Sequence, residues 1–307
     1  MRLTPQQRIN KLDRWKSPPS VAEEARLDRA RRMVTNAVKQ HPPFAGLGLS
    51  VEPKGSWANN TNVSSDSDMD IKIEFTQRVY RGSPAGMTSW DLMLQNSNYN
   101  GSWTPEKFRS ELGIALRRAS SAVDASRNVA FYVPSVPGSR PDTDVVPCFT
   151  YLHKPTFGDP NRGTVVFTKD GKHIVNWSQQ QLDNGRAKNT RTGYRYKFAV
   201  RALKSVENDL AALGVIKDLP SYFMECLIYN VPDSVLKEAV SLDLAFQAAL
   251  MYLKAQLAFW SFTANPDAMV EPNGIKKLFG PGQKWTKDDA RQLLTASWDY
   301  LGYGAPR

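Results

Sequence analysis

Gly55-Ser56, an eleven-residue spacer, and then Asp68-Met69-Asp70-Ile71-Lys72-Ile73-Glu74-Phe75 form the stretch that decides the fold. From Asp68 to Phe75 the residues alternate. Met69, Ile71, Ile73 and Phe75 would face one way and Asp68, Asp70, Lys72 and Glu74 the other, the pattern of a half-buried strand. Side chains two apart on a strand share a side, so Asp68 and Asp70 stand together, their Cα atoms about 6.6 Å apart at ~3.3 Å of rise per residue. Carboxylates that close repel unless a cation lies between them, and a hard divalent cation is the natural partner. Gly55 lets backbone approach a phosphate, a following helix N-terminus would offer free N–H groups, and Ser56 adds a hydroxyl donor. A phosphate cradle beside a metal-binding strand suits a metal–triphosphate complex.

A third acid comes from Thr143-Asp144-Val145-Val146-Pro147. An isolated acid on so apolar a strand is costly unless paired or liganded. Asp142 could share its face, and spacing alone does not choose between them. Three carboxylates can hold two cations, one lowering the pKa of an attacking hydroxyl and one neutralising a leaving pyrophosphate.

Outward from this stretch, Ser20 with Glu23 matches a capping box that opens a helix ending at Pro42-Pro43. Residues 1–19 are polar and read as a loosely held arm. Leu47, Leu49 and Val51 suggest a strand, and 59–67 a loop. A helix is expected over 105–125, strands over 129–133 and 143–149, and a hairpin around Lys169-Asp170-Gly171. Helices are expected at 194–212, 220–230, 233–262 and 286–301. Strands first and helices afterwards predict an α+β fold: a catalytic lobe over 1–185 and a helical lobe over 186–307.

The chain has 307 residues and a formal net charge of +10, which points to a phosphate-rich partner, either triphosphates or RNA. Two cysteines, Cys148 and Cys226, and three scattered histidines exclude a disulfide framework and leave oxygen ligands for any metal. No run approaches the ~20 apolar residues of a membrane span, and the opening MRLTPQQRIN lacks the apolar core of a secretory signal, so a cytoplasmic protein without membrane partners is expected.

The order Gly55-Ser56, Asp68-x-Asp70, Asp144-Val-Val-Pro resembles the cGAS/DncV-like nucleotidyltransferases. The likeness continues through Asn184-Gly185, Lys188-Asn189, Val200-Arg201-Ala202-Leu203-Lys204, Pro220-Ser221-Tyr222 with Glu225, and Asn273-Gly274 to Trp285-Thr286. It implies a polymerase-beta-like mixed sheet plus a C-terminal helical lobe, bridged by a long N-terminal helix. Asp68, Asp70 and Asp144 would bind two magnesium ions, with manganese as the alternative, and the match of Asp144-Val-Val-Pro favours Asp144 over Asp142. Lys204 and Ser221 would bind triphosphate oxygens, and Tyr222 would stack on a base, core packing being its alternative. Lys197, Arg201 and Lys204 recur on one side of a helix as a basic stripe.

Asn176, in Ile174-Val175-Asn176-Trp177-Ser178, matches the base-reading segment of the CdnE branch. An amide both donates and accepts, which suits a uracil edge; a turn cap is the bland alternative. The resemblance implies synthesis of a cyclic dinucleotide from ATP with UTP or GTP, as a second messenger for a downstream effector in anti-phage (CBASS-type) signalling. Activation by structured RNA would be consistent with the charge. The alternatives are transfer of one nucleotide to an RNA end, small molecule or protein, and an RNA-binding sensor with a vestigial site.

Overall fold

A computed structural model describes residues 2–17, 20–63, 68–82, 99–153, 161–258 and 264–304. The end of the spacer, 64–67, and the end of the helix expected at 233–262 lie outside them. The chain divides into two units, one comprising Ser20–Ala58 and Asp66–Gln179, the other Met1–Pro19, Asn59–Ser65 and Gln180–Arg307.

The helical unit opens with α1 (Pro5–Trp15). The sheet unit opens with α2 (Val21–Lys39), where the predicted capping box is present: the Ser20 side chain accepts from the Glu23 N–H, and the Glu23 carboxylate accepts from the Ser20 N–H. Next come β1 (Leu49–Pro53), the single turn α3 (Gly55–Ala58) and β2 (Met69–Gly82). Then follow α4 (Pro105–Ala119), β3 (Phe131–Val133), β4 (Thr143–His153), β5 (Asn161–Phe167) and β6 (His173–Asn176). The strands form one mixed sheet in the order β1-β2-β4-β5-β6, with β3 also paired to β4. β2 and β4 run parallel, and α4 is the crossover between them, as a parallel pair requires.

The alternation read from the sequence holds: Met69, Ile71, Ile73 and Phe75 are all fully buried. Phe75, Phe108 and Phe149 pack ring on ring, with centroids 5.5–5.9 Å apart, and seat α4 on the sheet. The hairpin is present too: β5 and β6 pair antiparallel, and Gly171 takes the positive φ of +77° that the turn needs.

The helical unit continues with α5 (Ser178–Arg191, whose first two residues belong to the sheet unit), α6 (Arg195–Ala212), α7 (Ser221–Tyr229), α8 (Asp233–Lys237), α9 (Leu242–Gln256) and α10 (Lys287–Tyr300). Three expectations change here. First, the polar N-terminal segment is no loose arm. Thr4 and Gln7 form a reciprocal capping box, and Leu3 and Leu12 are buried in the core of this unit. Second, the single helix expected from residue 233 is two, because Ser241 caps a new helix by accepting from the Leu244 N–H. Third, α5 went unread because it presents almost no apolar stripe; its buried residues are Gly185 and Lys188. The unit boundary accordingly differs from one cut at 185/186: the first nineteen residues and the segment after α3 group with the helices. No helix among the described residues is long and apolar enough to cross a membrane.

Candidate active site

The carboxylate pair is built by strand register. β2 and β4 pair with Asp70 opposite Asp144 and Met69 opposite Thr143. In a parallel pair, directly opposed residues project to the same face, so Asp70 and Asp144 become neighbours although 74 positions separate them in the chain. Asp68 lies exposed just before the strand; the hydrogen bond to Asp142 raises the proton affinity of the Tyr132 hydroxyl, and the charge of Asp68 adds a little.

Hydrogen bonds distinguish the two acids that spacing left open. The Asp142 carboxylate accepts from the Tyr132 hydroxyl at 2.7 Å and from the Ser135 N–H at 2.6 Å. The Tyr132 bond, with Ser135 helping, holds its carboxyl below the usual range. Asp142 is thus committed to closing its own loop. Asp144 is held differently: Arg127 Nη1 lies 2.9 Å from it. Burial nevertheless raises its proton affinity, with the charge of Asp70 adding and Arg127 opposing. Lys54 Nζ stands 3.7 Å from Asp70.

The Gly-Ser turn is tied to the same carboxylate. The Lys54 N–H donates to the Asp70 carbonyl at 2.9 Å, and Gly55 then turns with φ +68°. A Cβ at Gly55 would lie 2.6 Å from Asp70 Oδ2. Only glycine serves here, both for the left-handed backbone and for the close approach. Ser56 follows it, half-buried, in the one-turn helix.

The donors are all hard oxygens, they crowd one another electrostatically, and Gly55 beside them has no side chain. That chemistry fits a magnesium-like cation. Among the described residues, however, no three His, Cys, Asp or Glu side chains stand close enough to enclose a metal unaided. What the structure brings together is Asp70 with Asp144, flanked by Lys54 and Arg127. Neither of those basic residues belonged to a motif; Lys54 could have been suspected as the residue immediately before Gly55.

Asn176 ends β6 in the same unit, paired with Thr164 and half-buried. Gly163 makes room for it: a Cβ there would lie 2.6 Å from the Asn176 carbonyl oxygen and from the Trp177 ring.

The remaining expected residues lie in the helical unit. Ser221 is exposed at the first position of α7. Tyr222 packs edge-on to Trp285, with ring centroids 6.3 Å apart, and donates to Glu271 at 3.2 Å. The basic stripe on α6 turns inward at two of its three residues. Arg201 and Lys204 are buried, at 7 % and 3 % exposure, and Lys204 Nζ lies 3.5 Å from Thr61 Oγ1.

Three comparisons bear on this arrangement. Residues 183–302 match the model of the cGAS/DncV-like nucleotidyltransferase C-terminal helical domain. The chain is 34% identical to the cyclic dipyrimidine nucleotide synthase CdnE of Legionella pneumophila, over 94% of this chain and 96% of that protein. It superposes with a TM-score of 0.77 on the CdnE cyclic dinucleotide synthase of Elizabethkingia meningoseptica, solved with GTP and Apcpp (26% identity, 98% and 100% of the two chains). With the CdnE c-UMP-AMP synthase of Rhodothermus marinus, solved with Apcpp and Upnpp, the score is 0.78 (25% identity, 97% and 98% covered). With that likeness running over nearly its whole length, and the paired aspartates beside a glycine turn, the chain belongs to the cGAS/DncV-like nucleotidyltransferases.

Proposed function

We propose that this chain joins two ribonucleoside triphosphates into a cyclic dinucleotide that contains uridine, releasing pyrophosphate at each of two successive transfers. The observation that carries the reading is the register of Asp70 with Asp144 beside the Gly55 turn. Asp70 and Asp144, with Asp68, would hold magnesium, or manganese in its place, competing with Lys54 and Arg127 for the same oxygens. Bound there, the metal supplies Lewis-acid charge, which eases deprotonation of the attacking ribose hydroxyl and departure of pyrophosphate. Gly55 leaves room for donor phosphates, and the Ser56 hydroxyl donates to them. Ser221, exposed at the start of a helix, suits a phosphate oxygen. Lys204 would reach phosphate only by leaving Thr61, and Tyr222 would meet a base only at its partly exposed edge. These two contacts are therefore the weaker members of the set.

Asn176 is proposed to read the uracil edge, a reading supported by the relatives, which include a dipyrimidine and a UMP-AMP synthase. The protein would work in the cytoplasm, its product acting on an effector in anti-phage defence. The charge of +10 also suits activation by structured RNA, which would show as RNA affinity falling steeply with salt. The test is to incubate the protein with magnesium and four labelled triphosphates, omitting one at a time. Loss of the phosphatase-resistant product when UTP is omitted is expected; a product unaffected by that omission refutes the uridine reading. Asn176→Ser should shift the uridine-to-purine ratio roughly tenfold, the worth of one or two base-edge hydrogen bonds.

A further inference from the structure

Three buried charged side chains of the helical unit converge on one short piece of chain, residues 59–61. Glu225, on α7 one turn beyond Ser221, is 2 % exposed. Its Oε1 accepts from Asn59 Nδ2 at 3.2 Å and from Gln181 Nε2 at 2.9 Å, and its Oε2 accepts from Thr61 Oγ1 at 3.1 Å. Lys204 approaches the same threonine hydroxyl at 3.5 Å; burial lowers its proton affinity while the charge of Glu225 supports it. Arg201 Nη1 donates to the Asn60 carbonyl at 2.8 Å, and the same guanidinium donates to the Lys16 carbonyl. Asn60 is also left-handed, at φ +51°, a conformation that side chains other than glycine adopt at a cost.

Removing a glutamate, a lysine and an arginine from water is expensive, and hydrophobic residues would fill the space more cheaply. An ordinary surface loop needs none of them. Residues 59–61 begin three positions after Ser56, within the eleven-residue spacer before Asp68. We propose that Glu225 is a positioning residue for nucleotidyl transfer: its carboxylate, backed by Lys204 and Arg201, clamps the segment that joins the Gly55-Ser56 turn to the Asp68-Asp70 strand. The proposal rests on the assignment of those two motifs as the phosphate and metal site. It gives the buried end of the α6 stripe a task that does not require contact with substrate.

Glu225→Gln keeps the shape but replaces one acceptor oxygen with an amide that faces a donor. On the purified full chain, kcat should fall about tenfold or more, the scale of a lost hydrogen bond to a charged group. The magnesium concentration for half-maximal synthesis should rise severalfold, while KM for the triphosphates stays near that of the wild type. A residue needed only for packing would lower the melting temperature and the folded fraction, and leave the magnesium requirement alone. Thr61→Val removes the hydroxyl that both Glu225 and Lys204 use, and should raise the same requirement. The double variant should lose less than the product of the two single losses, because both act through one contact. If Glu225→Gln fails to fold, Thr61→Val decides alone. Wild-type kcat and magnesium dependence in the folded variants overturn the proposal. Asp70→Asn, run alongside, separates the two levels: if it is silent while the clamp variants behave as wild type, only the clamp is wrong. If it remains active, the metal assignment beneath the clamp has failed as well.

Discussion

Two positions on β2's polar face use the same chemistry for opposite purposes. In the middle of the strand, Glu74 is 3 % exposed and fully matched: Thr150 donates at 2.6 Å, Arg162 at 2.8 Å and Lys72 at 3.2 Å. Burial works against its charge, yet those hydrogen bonds prevail and hold its carboxyl below the usual range. Lys72 in turn bridges to Glu52 at 2.9 Å. Four residues earlier, Asp70 meets Lys54 at 3.7 Å, a looser contact than any Glu74 makes, and its neighbour Asp144, though paired with Arg127, holds its proton more tightly than an ordinary aspartate. The Glu74 position is electrostatically closed. The other carries charge that its own side chains leave incompletely offset, and that surplus is what a cation would use.

This contrast can be broken experimentally. The largest effect should come from Asp70→Asn and Asp144→Asn, each lowering cyclic nucleotide synthesis by about 10³-fold or more, the scale of losing charge stabilisation in a transition state; product formation in a fixed-time assay reads it. Next, Gly55→Ala should cost roughly 10²-fold in rate. It forces a residue with a Cβ to φ +68° and drives a methyl group into Asp70 Oδ2, and displacements of that order in a reacting array cost about that much. Glu74→Gln should act on stability instead, by about 2–4 kcal/mol at neutral pH, because buried donors lose their charged partner.

The sign of its pH dependence follows from the depressed proton affinity. The stabilisation is fully present above the usual glutamate value of about 4.5 and disappears as the pH falls through the lower folded-state value. Melting temperatures of Glu74→Gln and wild type should therefore converge in acid and diverge near neutrality. The smallest effect sharpens the contrast most. Asp144→Asn should melt within about 1 kcal/mol of the wild type, because it removes a charge that the fold disfavours. One substitution would thus be among the most damaging for activity and among the least for stability.

How much of this could be read from residues alone depended on whether the signal was local. The alternation at Asp68–Phe75, the Ser20–Glu23 cap and the hairpin glycine are each decided within a few positions, and each was legible. Asp142 and Asp144 share a face, and only pairing across strands reveals that one faces Asp70 while the other closes a loop on Tyr132. The first helix was missed for a different reason. Thr4-x-x-Gln7 is the same kind of cap as Ser20-x-x-Glu23, but so few apolar residues follow that the segment resembles a solvated tail. The α6 stripe reads in the sequence as a phosphate-binding face, and periodicity carries no information about a carboxylate waiting on α7.

The division of the chain carries a consequence for how the molecule is made. Neither unit is one continuous stretch; the backbone passes from one to the other four times, after residues 19, 58, 65 and 179. The first helix completes its contacts only with the last ones: the Leu3 N–H donates to the Tyr300 carbonyl at 2.8 Å, and Arg8 pairs with Asp243 at 2.9 Å. At a ribosome adding about 5–20 residues per second, the amino-terminal helix waits roughly 15–60 s for its partners. A ribosome that stalls early therefore releases a chain in which neither unit can close. A cut after residue 179 would leave the helical unit without its first nineteen residues and its 59–65 segment.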